Sequence, residues 1–270
     1  MPVYLDLHIM GILSRLAPWI VYWILVGNVP FATASVLALV VAVVSSLVGL
    51  TQRKLLQIID IGAIATFAVL TVFAFTLSES VLERWLLTGS NAGLLLVAVT
   101  SVLVGRPFVP DLAAAGPSTD ENRQAMFGRL HAEVQWLWVA TFAGMTVSSS
   151  IPPLALGDAS MVDPRSALSV AFYWVVPVVL LASAALASHT MADRTVAAAN
   201  SPEMVRRTSV VAFRELAIDE LYYLAQQKAE REVGVGMEAY AVRIGSAGVP
   251  LTGDESRESW PVNYKVRERR

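Results

Sequence analysis

The 270-residue chain contains no cysteine, which excludes disulfides, thiolate metal sites and cysteine nucleophiles together. Histidine is nearly as scarce. His8, His131 and His189 stand far apart, so they offer no metal site. No P-loop, nucleophile elbow, zinc-protease helix or dinucleotide fingerprint occurs; the expectation is a protein that is not an enzyme and needs no cofactor. Lys54, Lys228 and Lys265 are the only lysines, the other cations being arginine, and with abundant Ala and Val this points to a GC-rich bacterial genome. A net charge of -2 and a pI near 5.9 provide no basic footprint for nucleic acid. Between Leu16 and Leu50 there is no ionisable group except Tyr22.

What is present is apolar. Hydrophobic residues make up 55% of the chain, charged residues 16%, and the mean hydropathy is +0.57, outside the usual range of soluble domains. A helix needs about 20 apolar residues to cross about 30 Å of hydrocarbon. The run from Leu16 to Leu50 is too long for one crossing, and Gly27-Asn28-Val29-Pro30 divides it into a helical hairpin. Further spans are expected at about Leu55–Leu77, Trp85–Val104, Val134–Leu154 and Ala167–Ala187, for six in all. Arg15 and Pro18 shorten the first, and Arg15 is expected to snorkel to the headgroups. The fold class is therefore an all-α integral membrane protein, with residues 1–190 as the transmembrane domain and 191–270 as a soluble tail.

Short-loop cations set the orientation. Arg53 and Lys54, then Arg106, Arg123 and Arg129, then Arg194, Arg206 and Arg207 fall in alternate loops, which places both termini in the cytoplasm of a bacterial inner membrane. Trp19, Trp23, Trp85, Trp136, Trp138 and Trp174 are expected at span ends, at headgroup level. Ser118 and Glu121 have capping-box spacing and open a helix with room to run directly into span five.

In the tail, Ser201-Pro202 with Glu203 predicts a helix of roughly 30 residues to about Glu232. Met237–Ile244 and Trp260–Val266 read as strands, giving a small helix-plus-hairpin tail. Trp260 and Tyr264 are bulky for a chain end and are candidates for binding a partner.

Asp60 is the leading intramembrane polar candidate. It lies about 8 Å into its span at about 1.5 Å per residue, shallow enough for a structural bond to Arg53, Lys54 or Arg106 to explain it. His131 and Glu133, two apart, point to different sides of a helix. Ala34, Ala38, Ala42 and Ser46, and likewise Ala140, Gly144 and Ser148, recur at four-residue intervals and predict close helix packing; Gly89 and Gly93 are a weaker instance.

Several features together resemble the bacterial septation protein A family of inner-membrane proteins. They are the Pro18-led first span, Ala32-Thr33-Ala34-Ser35-Val36-Leu37-Ala38, the basic turn Gln52-Arg53-Lys54, Gly105-Arg106-Pro107 after span four, and the stretch from Arg129-Leu130 to Trp138. The resemblance covers about Leu16 to Ile151 and implies a non-enzymatic membrane protein with envelope or division-related partners; span six and the tail have no counterpart in it. The expected function is an accessory or scaffolding subunit of a cell-envelope complex, one moving lipid or cell-wall precursors, with membrane lipids and other integral membrane subunits as partners. A small-solute or proton-coupled secondary transporter is the alternative. An interfacial lipid-modifying enzyme, built from His131, Glu133 and Asp60, is the third reading.

Overall fold

In the helical part of the protein, Val44, Leu47, Val72, Phe75, Leu96 and Leu186 are exposed, while Ser35, Ser90, Asn91, Ser101 and Ser149 are at most 2% exposed. A hydrocarbon solvent imposes this inversion, because apolar atoms face it at no penalty and polar groups must find partners inside. The computed structural model describes residues 15–51, 57–106, 121–155, 160–162, 166–199, 201, 204–233 and 236–269. The chain divides into two compact units, Met1–Asp111 with Ala132–His189 and Leu112–His131 with Thr190–Arg270.

The helices are α1 (Ala17–Leu25), α2 (Phe31–Thr51), α3 (Ile58–Thr76), α4 (Glu79–Leu103), α5 (Glu121–Ala155), α6 (Ala167–Val170) and α7 (Val176–Ala199), with a π-helical turn at Ala171–Val175. Among the described residues four stretches are long and apolar enough to cross a membrane: α2, α3, α4 and the composite Ala167–Ala199. They are four of the six spans expected from the sequence. The nine residues of α1 reach only about 14 Å at the helical rise, and α1 folds back on α2 through the Gly27–Pro30 turn. The 35 residues of α5 are long enough, but Gln135, Thr141, Thr146 and Ser148 to Ser150 dilute their hydropathy. The helix expected to run into span five is continuous from Glu121, while Ser118 lies outside the described residues.

Two glycines set the α3–α4 contact. A Cβ on Gly62 would stand 2.2 Å from Val97 Cγ2, and one on Gly93 would stand 2.3 Å from Thr66 Cγ2. Each helix thus presents a glycine to a β-branched residue of the other, and the backbones approach closely. Facing α3 from α1, Trp19 and Tyr22 lie against Phe67, each with ring centroids 5.4 Å apart.

The tail corrects the sequence reading. Instead of one helix from Ser201 to about Glu232, there is a strand β1 (Arg206–Phe213) followed by α8 (Ile218–Glu232), then β2 (Met237–Ile244), β3 (Val249–Leu251) and β4 (Asp254–Glu268). Thr208, Val210 and Ala212 are buried while Arg207, Ser209, Val211 and Phe213 are exposed, a two-residue period that only a strand satisfies. The four-stranded antiparallel sheet has the order β1-β4-β2, with β3 also on β4. Leu221, Ala225 and Ala229 of α8 are buried, and α8 packs against β1 and β2; the two alanines keep it close to the sheet. Glu232 fastens its end: Thr208 Oγ1 donates to Oε1 at 2.9 Å, Tyr264 Oη to Oε2 at 3.3 Å, and Lys228 lies 3.1 Å away.

Candidate intramembrane polar site

Proline removes an N–H and leaves the carbonyl four residues earlier without its helical donor. In α5, Pro153 does this to Ser149, and Thr88 of α4 donates its hydroxyl to that carbonyl at 2.7 Å. Beside it, Asn91 Nδ2 donates to Ser149 Oγ at 3.1 Å, and Ser149 Oγ donates to Met145 O at 2.9 Å.

Pro177 creates a second gap. The turn before it widens, so that the Val176 N–H bonds Ala171 O rather than the carbonyl of Phe172. The Phe172 carbonyl accepts instead from Ser148 Oγ at 2.7 Å. Hydroxyl groups of neighbouring helices are how proline-broken helices are tolerated in lipid. The same π turn is anchored by Tyr173 Oη donating to Arg84 O at 2.8 Å and by Trp174 Nε1 donating to Met161 O at 3.3 Å, while Met161 N donates to Glu83 O at 3.1 Å.

A third set joins α1 to α4. Trp19 Nε1 donates to Ser90 O at 3.2 Å and Trp23 Nε1 to Ser90 Oγ at 3.3 Å, and that hydroxyl donates to Leu87 O at 2.9 Å. Trp19 is therefore a fully buried packing residue rather than a headgroup anchor. Trp138 is buried too, whereas Trp85 and Trp136 are exposed. Asn91 Oδ1 is buried without a hydrogen-bond partner among the described residues, and the buried Tyr22 hydroxyl faces Ser35.

The singled-out residues fall as follows. Asp60 is the third residue of α3, and its Oδ2 accepts the Gln57 N–H at 3.0 Å, the carboxylate half of a capping box. Its cationic neighbour is Arg15; Arg53 and Lys54 lie outside the described residues. Ala34, Ala38, Ala42 and Ser46 are all buried. In the other strip, Gly144 meets Leu180 of α7, with 3.1 Å from a built Cβ, and Ser148 is buried, but Ala140 is exposed. The ring nitrogens of His131 are buried while Glu133 is exposed, so the pair does not act together. Tyr264 is 3% exposed, and Trp260 packs on the core formed by Val210, Leu221, Ala225 and Val262. Tyr264 thus lies inside the tail, and Trp260 is partly buried against its core.

Thr88, Asn91 and Ser149 were not singled out in the sequence, although an Asn within an apolar helix was signal enough. Among the described residues no group of three or more His, Cys, Asp or Glu could hold a metal ion.

Fold and site together define a multi-pass α-helical membrane protein with a β-rich tail. The chain matches no protein-family model, no curated protein and no solved structure.

Proposed function

We propose that this chain is a non-enzymatic accessory or scaffolding subunit of a bacterial cell-envelope complex that moves lipid or cell-wall precursors, with six spans and both termini in the cytoplasm. The observation that carries this reading is where the intramembrane polar groups go: Thr88 and Ser148 donate to proline-freed carbonyls, and the Ser149 and Ser90 hydroxyls accept from Asn91 and Trp23 of neighbouring helices. Such bonds lock helices together. A conduction path needs polar groups facing a passage. The tail has its own buried core, and α8 leaves Ile218, Tyr222 and Tyr223 exposed, an aromatic surface of the kind that protein interfaces favour. The likeness to the septation protein A family supports the same class of role and suggests envelope or division proteins as partners.

Purification in mild detergent of the full chain, and of a chain ending at Ala199, tests the reading. Other integral membrane subunits are expected with the full chain and lost from the shorter one at matched expression. A full chain that purifies alone refutes it. Reporter fusions at Arg270 test the topology, periplasmic activity being the adverse result.

A transporter is the second reading, favoured by one observation, the buried Asn91 Oδ1, unpartnered among the described residues, beside the proline-broken α5. Asn91→Ala at normal protein level separates the two: abolished solute flux would establish transport.

A further inference from the structure

The sheet of the tail has two faces of different chemistry. One packs on α8. On the other, the strand register sets Arg207 of β1, Asn263 of β4 and Arg243 of β2 in one row, followed by Lys265 beside Tyr240 and Arg267 beside Glu238. At about 4.8 Å between strands, the two arginines of the row stand about 10 Å apart with Asn263 between them. Arg257, Phe213 and Val211 continue the same face toward the β3–β4 end. Among the described side chains it carries five cations, Arg207, Arg243, Arg257, Lys265 and Arg267; Arg267 pairs with Glu238, and Arg257 with Asp254 at 3.4 Å. Among the described residues neither Arg243 nor Lys265 has an acidic partner. On α8 the balance reverses, with Asp219, Glu220, Glu230 and Glu232 against Lys228 and Arg231.

Arg243 is on this face because of a β-bulge. Tyr240 pairs with Lys265 and Arg243 with Asn263, so three residues of β2 match two of β4. In a regular strand, residues three apart point to opposite faces. The extra residue, Ala241, takes a φ of 52°, which is unfavourable for a side chain with a Cβ. Re-aiming one side chain is the recurrent use of such bulges, and here it sets a second arginine across Asn263 from Arg207.

We infer that this face docks on the anionic phospholipid headgroups of the bilayer that the chain itself spans. β1 begins only residues 200–205 beyond the apolar helix Ala167–Ala199, so an anionic leaflet is always within tether range. Each Lys or Arg near such a surface is attracted by its potential. Phe213 and Val211, each about half exposed, suit the apolar edge of the headgroup layer. Single-stranded RNA would instead need open aromatic faces for base stacking. Arg257 lies 4.9 Å over the Phe213 ring and Arg267 5.1 Å over the Tyr240 ring, so both rings already carry a cation.

The test uses the full chain in nanodiscs of phosphatidylcholine, alone or mixed with phosphatidylglycerol. Because the chain has no cysteine, Ser209→Cys puts a single fluorophore on the basic face and Gln226→Cys puts one on exposed α8 as a control. Energy transfer to a headgroup-labelled lipid should rise at position 209 when phosphatidylglycerol is present, fall at high salt, and stay flat at position 226. Each cation contributes about fivefold to the docked population, so Arg207→Gln, Arg243→Gln and Lys265→Gln together should lower it on the order of a hundredfold. Arg207→Lys with Arg243→Lys should keep the response. Equal transfer in neutral and anionic discs, or a triple-Gln variant that still responds, overturns the proposal. A face that responds to added single-stranded RNA and not to phosphatidylglycerol also overturns it. Subunit co-purification plays no part in these readouts, so the lipid result and the scaffolding result can fail separately.

Discussion

Gly62→Ala tests the bundle where it is tightest. The new methyl would lie 2.2 Å from Val97 Cγ2, 2.9 Å from Cγ1 and 3.1 Å from Cβ. Carbon atoms settle about 3.5–4.0 Å apart, so at fixed rotamer α3 and α4 must separate locally by about 1.3 Å or more. Val97 cannot easily turn aside, because a β-branched side chain in a helix has one strongly preferred χ1 and both its methyls face the glycine. Overpacking of this kind typically costs about 1–3 kcal/mol. Val97→Ala removes both offending methyls and leaves only the 3.1 Å contact. The double variant should therefore be more stable than the sum of the single effects predicts, with a favourable coupling of about 1–2 kcal/mol. Unfolding in mixed micelles by SDS titration, followed through tryptophan fluorescence, measures all four corners of the cycle. Trp19 packs against Phe67 on the same helix α3 and reports locally. If Gly62→Ala is as stable as the natural chain, or the two effects simply add, α3 and α4 do not meet at these residues.

Ser148→Ala strips the Phe172 carbonyl of its donor and should cost about 0.6–1.7 kcal/mol, the range for interhelical hydrogen bonds in membranes, in the same titration; no loss would mean that the π turn satisfies itself. Asp60→Asn should keep the bond from the Gln57 N–H while Asp60→Leu loses it at about 0.5–2 kcal/mol, and an Asn variant that is inactive at normal protein level would move Asp60 from structure to function. Ala241→Gly should stabilise the tail by about 1 kcal/mol, since glycine takes positive φ without the Cβ penalty, as read by the midpoint of protease resistance; a lower midpoint would argue against the bulge.

Hydropathy made α2, α3, α4 and the last long helix legible, because lipid imposes a length and a composition that no other rule imitates. At α1 the same rule says less, because the Gly27–Pro30 turn divides a long apolar run and the described helix before it has nine residues. Pro152, Pro153 and Pro177 are helix breakers by residue type alone, but the groups that satisfy the freed carbonyls cannot be read the same way. Thr88 and Ser149 are 61 positions apart, and helical periodicity on either segment says only which residues share a face. Asn91 is legible on principle, as a lone amide in an apolar stretch.

The tail shows how a local signal can mislead. Ser201-Pro202 carries a helix-start pattern, yet Ser201 N bonds Ala198 O and Met204 N bonds Ser201 O, a turn after the preceding helix rather than the cap of a new one. Beyond it, Thr208-Ser209-Val210-Val211 alternates with period two, and that pattern has meaning only beside a partner strand. The partner is β4, where Val210 meets Trp260 and Arg206 meets Tyr264, some fifty residues downstream. By bulk and by nearness to the chain end, Trp260 and Tyr264 read as outward-facing. Their position follows from the strand order instead: β4 runs between β1 and β2, so its inner-face residues sit at the centre of the sheet under α8. The central strand is the last one made, and the aromatics that complete the core arrive with it. Substituting Trp260 by Ala would therefore empty the core and loosen all of the tail's surfaces together, whereas the cations of the outer face can be exchanged one at a time with the fold intact.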